Sequence, residues 1–114
     1  MFDISDHDMK DDMMGGGIRK GFLKMIVLKI ISMKPIHGYD IIQEIESRTR
    51  GHWVPSPGSV YPVLDFLESK GYISMEESDR KKVYTITEEG RSVLDHIDTR
   101  RKELFEEMRT LFGD

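Results

Sequence analysis

Between Ile18 and Met33 the chain carries Phe22, Leu23, Met25, Ile26, Val27, Leu28, Ile30 and Ile31, with only Arg19, Lys20, Lys24 and Lys29 as charged interruptions. At helical spacing these apolar side chains surround the axis almost completely, and a helix with so little polar face must be covered on several sides. The stretch falls short of the roughly 20 residues that cross a bilayer. The remaining chain is therefore expected to wrap around this helix. A length of 114 residues supports one domain. A small α-rich domain of that size often gains burial by pairing with a second copy.

Lys34-Pro35 ends the first helix, because proline disfavours helical backbone in the residue before it. Gly38 to about Arg48 reads as a second helix, with Tyr39, Ile41, Ile42 and Ile45 on its apolar face. Residues 49–55 connect it to the next element, with a short strand expected at His52–Val54. Trp53 in this connection is either a packed anchor or an aromatic platform for a ligand. Ser56 suits an N-cap and Pro57 the first helical position. That third helix runs to about Lys70, and Gly71 supplies its stop. Val60, Val63, Leu64 and Leu67 fall on one face; Gly58, Ser59, Pro62, Asp65 and Phe66 fall on the other, with Tyr61 on the flank. Tyr72–Glu77 and Lys82–Ile86 read as two strands of a hairpin around the polar turn Ser78–Lys81. Thr87 caps a last helix, with Glu88 and Glu89 in its first turn where they suit the helix dipole. Ile97, Leu104 and Leu111 recur every seven residues, flanked by Leu94 and Met108, and Phe105 and Phe112 repeat the spacing. Such a seam on a terminal helix points to helix pairing between subunits.

The net charge of −4 argues at first against a nucleic-acid partner. Residues 1–17, however, hold Asp3, Asp6, Asp8, Asp11 and Asp12 against Lys10, and account for all of it. This segment has no apolar period and ends in three glycines, so it reads as a disordered acidic tail. The remainder is neutral, and what matters is where its bases cluster. There is no cysteine, hence no disulfide or thiolate site. The N-terminus lacks the basic start and apolar core of a secretion signal, which makes the cytoplasm the expected compartment. His37, His52 and His96 lie on different elements and belong to no nucleophile or metal motif. No catalytic residue, cofactor or metal site is expected.

The fold class is mainly α with a small β-hairpin: helix, helix, helix, hairpin, helix. A three-helix unit followed by a two-stranded wing is the winged helix-turn-helix plan, expected over residues 18–87, with residues 88–114 as a C-terminal dimerisation helix. The major groove of duplex DNA admits one helix, whose N-terminal residues reach base edges. Here that helix begins with the small groups Ser56, Gly58 and Ser59, which allow close approach. Its open backbone N–H groups suit a phosphate. Arg80-Lys81-Lys82 on the wing would add phosphate contacts through counterion release; read without that context, a basic hairpin tip is only a solvated turn.

Several stretches together resemble the PadR family of transcriptional regulators. They are His37-Gly38-Tyr39-Asp40-Ile41-Ile42, Trp53, Pro55-Ser56-Pro57-Gly58-Ser59-Val60-Tyr61-Pro62-Val63-Leu64, Leu67-Glu68-Ser69-Lys70-Gly71-Tyr72-Ile73 and Lys82-Val83-Tyr84-Thr85-Ile86-Thr87-Glu88-Glu89-Gly90. The likeness covers roughly residues 20–92, and the single last helix resembles the compact branch of the family. It implies a homodimer on a pseudo-palindromic double-stranded operator, acting as a repressor. Carried over by position, Tyr39, Ser56, Gly58, Ser59, Tyr61 and Pro62 would lie at DNA, with Arg80, Lys81 and Lys82 as wing contacts. It also implies a small aromatic or lipophilic effector near the dimer interface. Phe22, Met25, Ile26, Trp53, Ile97, Leu104, Phe105, Met108 and Leu111 would line that space or form plain dimer core.

One departure stands out. Many members of the family carry bases on the outer face of the third helix, where this chain has Asp65-Phe66. An acid there opposes phosphate and can at best accept from a cytosine amine. Two other readings follow from the residues. The neutral domain and Asp65-Phe66 would suit a winged-helix module that binds protein instead of DNA. His7 with the tail aspartates would suit a metal sensor.

Overall fold

The structure is a computed structural model and describes residues 18–113. The acidic tail, with His7 and its aspartates, lies outside the described residues. The elements run α1 (Ile18–Met33), β1 (Ile36–His37), α2 (Gly38–Arg48), α3 (Pro57–Ser69), β2 (Ile73–Ser78), β3 (Lys81–Ile86) and α4 (Glu88–Phe112). The expected α-rich winged helix-turn-helix plan is present.

Helix α1 occupies the centre, as its all-round apolar character requires. Leu23, Val27, Leu28, Ile30 and Ile31 are buried in one core with Ile41 and Ile45 of α2 and Val60, Leu64 and Leu67 of α3. Full burial of each such side chain contributes roughly 1.5–3 kcal/mol. From α4 only the N-terminal half joins them, through Val93 and Leu94, with Ile97 packed at the edge.

The hairpin differs from expectation in three respects. Its strands run one residue longer at the turn, closing on the pair Ser78↔Lys81. The turn is only Asp79-Arg80, at φ 52° and 65°. Left-handed backbone at both central positions gives the primed geometry that matches strand twist in two-residue hairpins. Third, β3 pairs on its other edge with β1, Ile36 facing Tyr84 and His37 facing Val83, so the hairpin is part of a three-stranded antiparallel sheet of order β1-β3-β2.

The strand expected at His52–Val54 is absent. Thr49 ties this segment down instead: its hydroxyl donates to the Ile45 carbonyl at 2.8 Å and accepts from the Trp53 N–H at 3.1 Å. Arg50 and Gly51 both take positive φ, which turns the chain sharply out of α2.

Burial raises the phenol of Tyr84 above its usual value, and the negative charges of Asp65, Tyr61 and Glu68 add to the rise. A tyrosine with a raised folded pKa contributes stability that is complete below the unfolded value near 10 and declines as pH climbs toward the folded one. Denaturant melts of the wild-type chain above about pH 10 should therefore lose stability that Tyr84→Phe retains. Parallel losses in both proteins would remove Tyr84 from this account.

Candidate nucleic-acid interface

The site is assembled where β1 runs straight into α2. Ile36 is buried under the sheet edge, and the chain turns helical at Gly38 with His37 as its cap residue. The His37 side chain makes no capping bond; its Nδ1 lies 3.4 Å from the carbonyl oxygen of Lys82. Gly38 is buried, and a Cβ built there would come within 2.9 Å of Tyr61 Cε1 and 3.0 Å of its hydroxyl. The Tyr61 ring from α3 thus sits on bare backbone at the start of α2. Any side chain at position 38 would displace it.

Opposite stands the wing tip. Arg80, Lys81 and Lys82 are all exposed. Arg80 holds a left-handed backbone that costs an ordinary L-residue roughly 1–2 kcal/mol and glycine nothing. A cation is kept at a position where local geometry favours glycine.

Between them lies a cleft of about 490 Å³ lined by His37, Gly38, Tyr39, Asp40, Tyr61, Arg80, Lys81 and Lys82. Five of the nine residues expected at DNA therefore converge here: Tyr39, Tyr61 and the three wing bases. His37, Gly38 and Asp40 also line it and are not among the nine. All three stand in the His37-Gly38-Tyr39-Asp40 run, and their neighbourhood to Tyr39 was the available signal.

The other four, Ser56, Gly58, Ser59 and Pro62, lie exposed along the N-terminal half of α3. Ser56 is the N-cap by backbone conformation, and its carbonyl accepts from the N–H groups of Ser59 and Val60, each at 3.0 Å. Its hydroxyl does not cap, contrary to expectation; it lies 3.2 Å from the Ser59 hydroxyl. Gly58 has room: a Cβ would meet nothing closer than Ser56 Oγ at 3.7 Å. Glycine inside a helix costs roughly 0.5–1 kcal/mol against alanine, and no packing in the fold demands it there.

Phe66 departs from its expected outward position. It is half-buried, packed against the core edge, with the Lys24 ammonium 4.1 Å and the Lys70 ammonium 5.8 Å from its ring centre. A first-helix lysine over its face explains the placement, since a cation is attracted to an aromatic ring at this distance.

The effector or dimer residues divide into two groups. Phe22 stacks on Trp53 with centroids 6.2 Å apart and 11° between planes. Met25, Ile26, Trp53 and Ile97 pack on the core from its edge. Leu104, Phe105, Met108 and Leu111 instead line the free half of α4, each more than half exposed. Among the described residues no cluster of three or more His, Asp or Glu side chains could hold a metal ion. No helix there is long and apolar enough to cross a membrane.

Residues 27–96 match the family model described as the transcriptional regulator PadR-like family. Over 82 residues, 67% of this chain, the sequence is 43% identical to the transcriptional regulator YqjI of Escherichia coli (strain K12). That match spans only 40% of the longer relative. A transcriptional regulator from Clostridium thermocellum superposes with a TM-score of 0.70 at 25% identity, covering 85% of this chain and 97% of its own. Bacillus subtilis PadR in complex with operator DNA superposes with a TM-score of 0.61 at 26% identity, over 66% of this chain and 46% of that one. These likenesses are to regulators, not enzymes, and they cover the helices and wing that build the cleft: the chain belongs to the PadR-like family of transcriptional regulators.

Proposed function

We propose that this chain is a sequence-specific regulator that binds double-stranded operator DNA as a homodimer. The observation that carries the reading is the convergence of three separate segments, the head of α2, Tyr61 of α3 and the wing tip, into one cleft beside the exposed start of α3. In this reading α3 enters the major groove by its N-terminal end, with its exposed outer stripe as far as Asp65 facing the bases. Gly58 lets its backbone approach the bases or phosphates, which gives a reason for a helical glycine that packing does not supply. Arg80, Lys81 and Lys82 lie along the phosphates of one strand, and the Tyr61 hydroxyl donates to a phosphate from its seat on Gly38. The likeness to a PadR protein in complex with operator DNA supports DNA as the partner.

The apolar stripe on the free half of α4 is the dimer seam. Two protomers related by a twofold axis present two recognition helices to a pseudo-palindromic site. Repression, by occupying a site that polymerase would otherwise use, is the role we carry over from the resemblance to the PadR family. A small aromatic or lipophilic effector would release it by sliding against the half-exposed Phe22–Trp53 stack. A protein-binding winged helix is the competing reading, and salt separates the two, because docking on a protein surface does not release condensed counterions.

The test is capture of sheared genomic fragments by the full chain at two salt concentrations, followed by sequencing. Enrichment of fragments that share an inverted repeat is expected. On the recovered repeat, Lys81→Ala with Lys82→Ala should weaken binding to all sequences and lower the slope of log K against log salt by up to about 2. An unchanged slope would mean that the wing does not touch the backbone.

A further inference from the structure

We infer that Asp65 is a specificity-determining residue, and that it selects cytosine in the operator by accepting a hydrogen bond from the N4 amine. The inference rests on the operator-binding reading above and says what that operator must contain.

Val60, Val63, Leu64 and Leu67 of α3 are buried. At about 100° per residue, the stripe diametrically opposite them consists of Gly58, Pro62, Asp65 and Ser69. All four are exposed. Tyr61 and Glu68 lie on the flank toward the sheet, and Asp65 stands at the sheet-side edge of the stripe, where its charge reaches Tyr84 together with theirs. Phe66 lies on the other flank under Lys24 and Lys70. The outermost stripe thus holds two residues without polar side-chain atoms, one hydroxyl that can donate or accept, and one carboxylate. Asp65 is its only charge, and the only group on it with a single hydrogen-bonding sense.

Cations stand to both sides of this stripe. Arg80, Lys81 and Lys82 rise from the wing on one side. Lys24 and Lys70 gather on the other. A major groove is bordered by two phosphate strands, so cations at the flanks with an acid between them complement the groove, whose edges are anionic and whose floor carries amine donors. The flanks meet phosphate, and Asp65 meets base edges.

A carboxylate only accepts. In the major groove guanine offers N7 and O6, adenine offers N7, and thymine offers O4; all are acceptors and all repel it. Only the cytosine N4 and adenine N6 amines donate. The adenine amine stands between two acceptors, its own N7 and the O4 of the paired thymine. The cytosine amine has an acceptor on one side only, the O6 of guanine, and a C5–H on the other. The carboxylate therefore favours cytosine.

The experiment is selection of the full chain on a random-sequence duplex library, run in parallel for wild type, Asp65→Asn and Asp65→Ala. Asp65 is exposed, so the variants keep the fold, which matching thermal melts will verify. Wild type should enrich an inverted repeat with cytosine at one fixed position in each half-site, preferred roughly five- to tenfold, the low end of a good base contact. Asp65→Asn should move that position to adenine, because an amide pairs with N6 and N7 together. Asp65→Ala should lose the preference there and keep the rest of the repeat, with equal or higher average affinity. An identical base pattern in all three proteins overturns the assignment of Asp65 while leaving the operator reading intact. No inverted repeat from the wild-type chain overturns both.

Discussion

Gly90→Ala should destabilise the protein by more than about 3 kcal/mol, at or beyond the upper end of overpacking in a close-packed interior. Gly90 is buried in the first turn of α4. A Cβ there would collide with the carbonyl oxygen of Tyr72 and lie 2.8 Å from Ile86 Cγ1. That carbonyl is not free to move. It accepts from the Thr87 N–H at 3.1 Å, while the Thr87 hydroxyl donates to the neighbouring Gly71 carbonyl at 2.5 Å and accepts from the Gly90 N–H at 3.1 Å. The clash is relieved only by lifting the start of α4 off the α3–β2 corner, which also withdraws Val93 and Leu94 from the core. A loss above about 3 kcal/mol is a large part of the 5–15 kcal/mol that holds a domain of this kind together. Gly71→Ala is the matched control, since position 71 has positive φ but open space, and should cost only the left-handed backbone penalty of roughly 1–2 kcal/mol. Urea melts of the two variants give the comparison. A Gly90→Ala midpoint as mild as that of Gly71→Ala would mean that the α4 start yields easily and is not pinned by Thr87.

The sequence is most legible where one local rule decides the outcome. Pro35 and Gly38 bound α1 and α2, Pro57 and Gly71 bound α3, and Thr87 starts α4, because each acts on its own backbone. Non-local features were hidden. A two-residue strand such as β1 has no period to read, and exists because β3 offers it an edge. His52-Trp53-Val54 has strand composition but no partner, and the Thr49 hydroxyl fixes it as a loop. Phe66 sits outward on a helical wheel, and only Lys24 from another helix accounts for its cover. The cleft is the strongest case. The family likeness points to its residues one by one, but nothing in the spacing says that Tyr61 rests on Gly38 in one cleft with Arg80. That Gly38 must lack a side chain is visible only when the Tyr61 ring is in place.

Leu104→Glu should convert the protein from dimer to monomer and weaken operator binding by at least about a hundredfold, the gain that linking two binding modules commonly supplies. Helix α4 has 25 residues, and everything from Thr99 to Gly113 is exposed. An isolated helical stretch of that length is marginal in water and draws its stability from covering an apolar face. The face is there: Leu104, Phe105, Met108, Leu111 and Phe112 are 60, 65, 51, 72 and 76% exposed, on the line continued from buried Leu94 and half-buried Ile97. In heptad terms Leu94, Arg101 and Met108 alternate with Ile97, Leu104 and Leu111. The one polar member, Arg101, reaches Asp98 at 3.7 Å. A single polar residue in such a seam fixes register at some cost in stability. Arg100–Glu103 and Arg109–Glu106 pairs, at 3.6 and 3.5 Å, sit along the helix beside it. In the proposed dimer a second copy supplies the missing surface, and a carboxylate at Leu104 would have to be buried unpaired in its centre. The monomer still holds one complete cleft and one recognition helix, so it should keep weak, salt-dependent affinity for a half-site while losing preference for the inverted repeat. Sedimentation velocity and titration on whole and half operators read both effects. A variant that stays dimeric places the interface elsewhere; a monomer with undiminished affinity for the full repeat rejects the twofold arrangement and with it the palindromic operator.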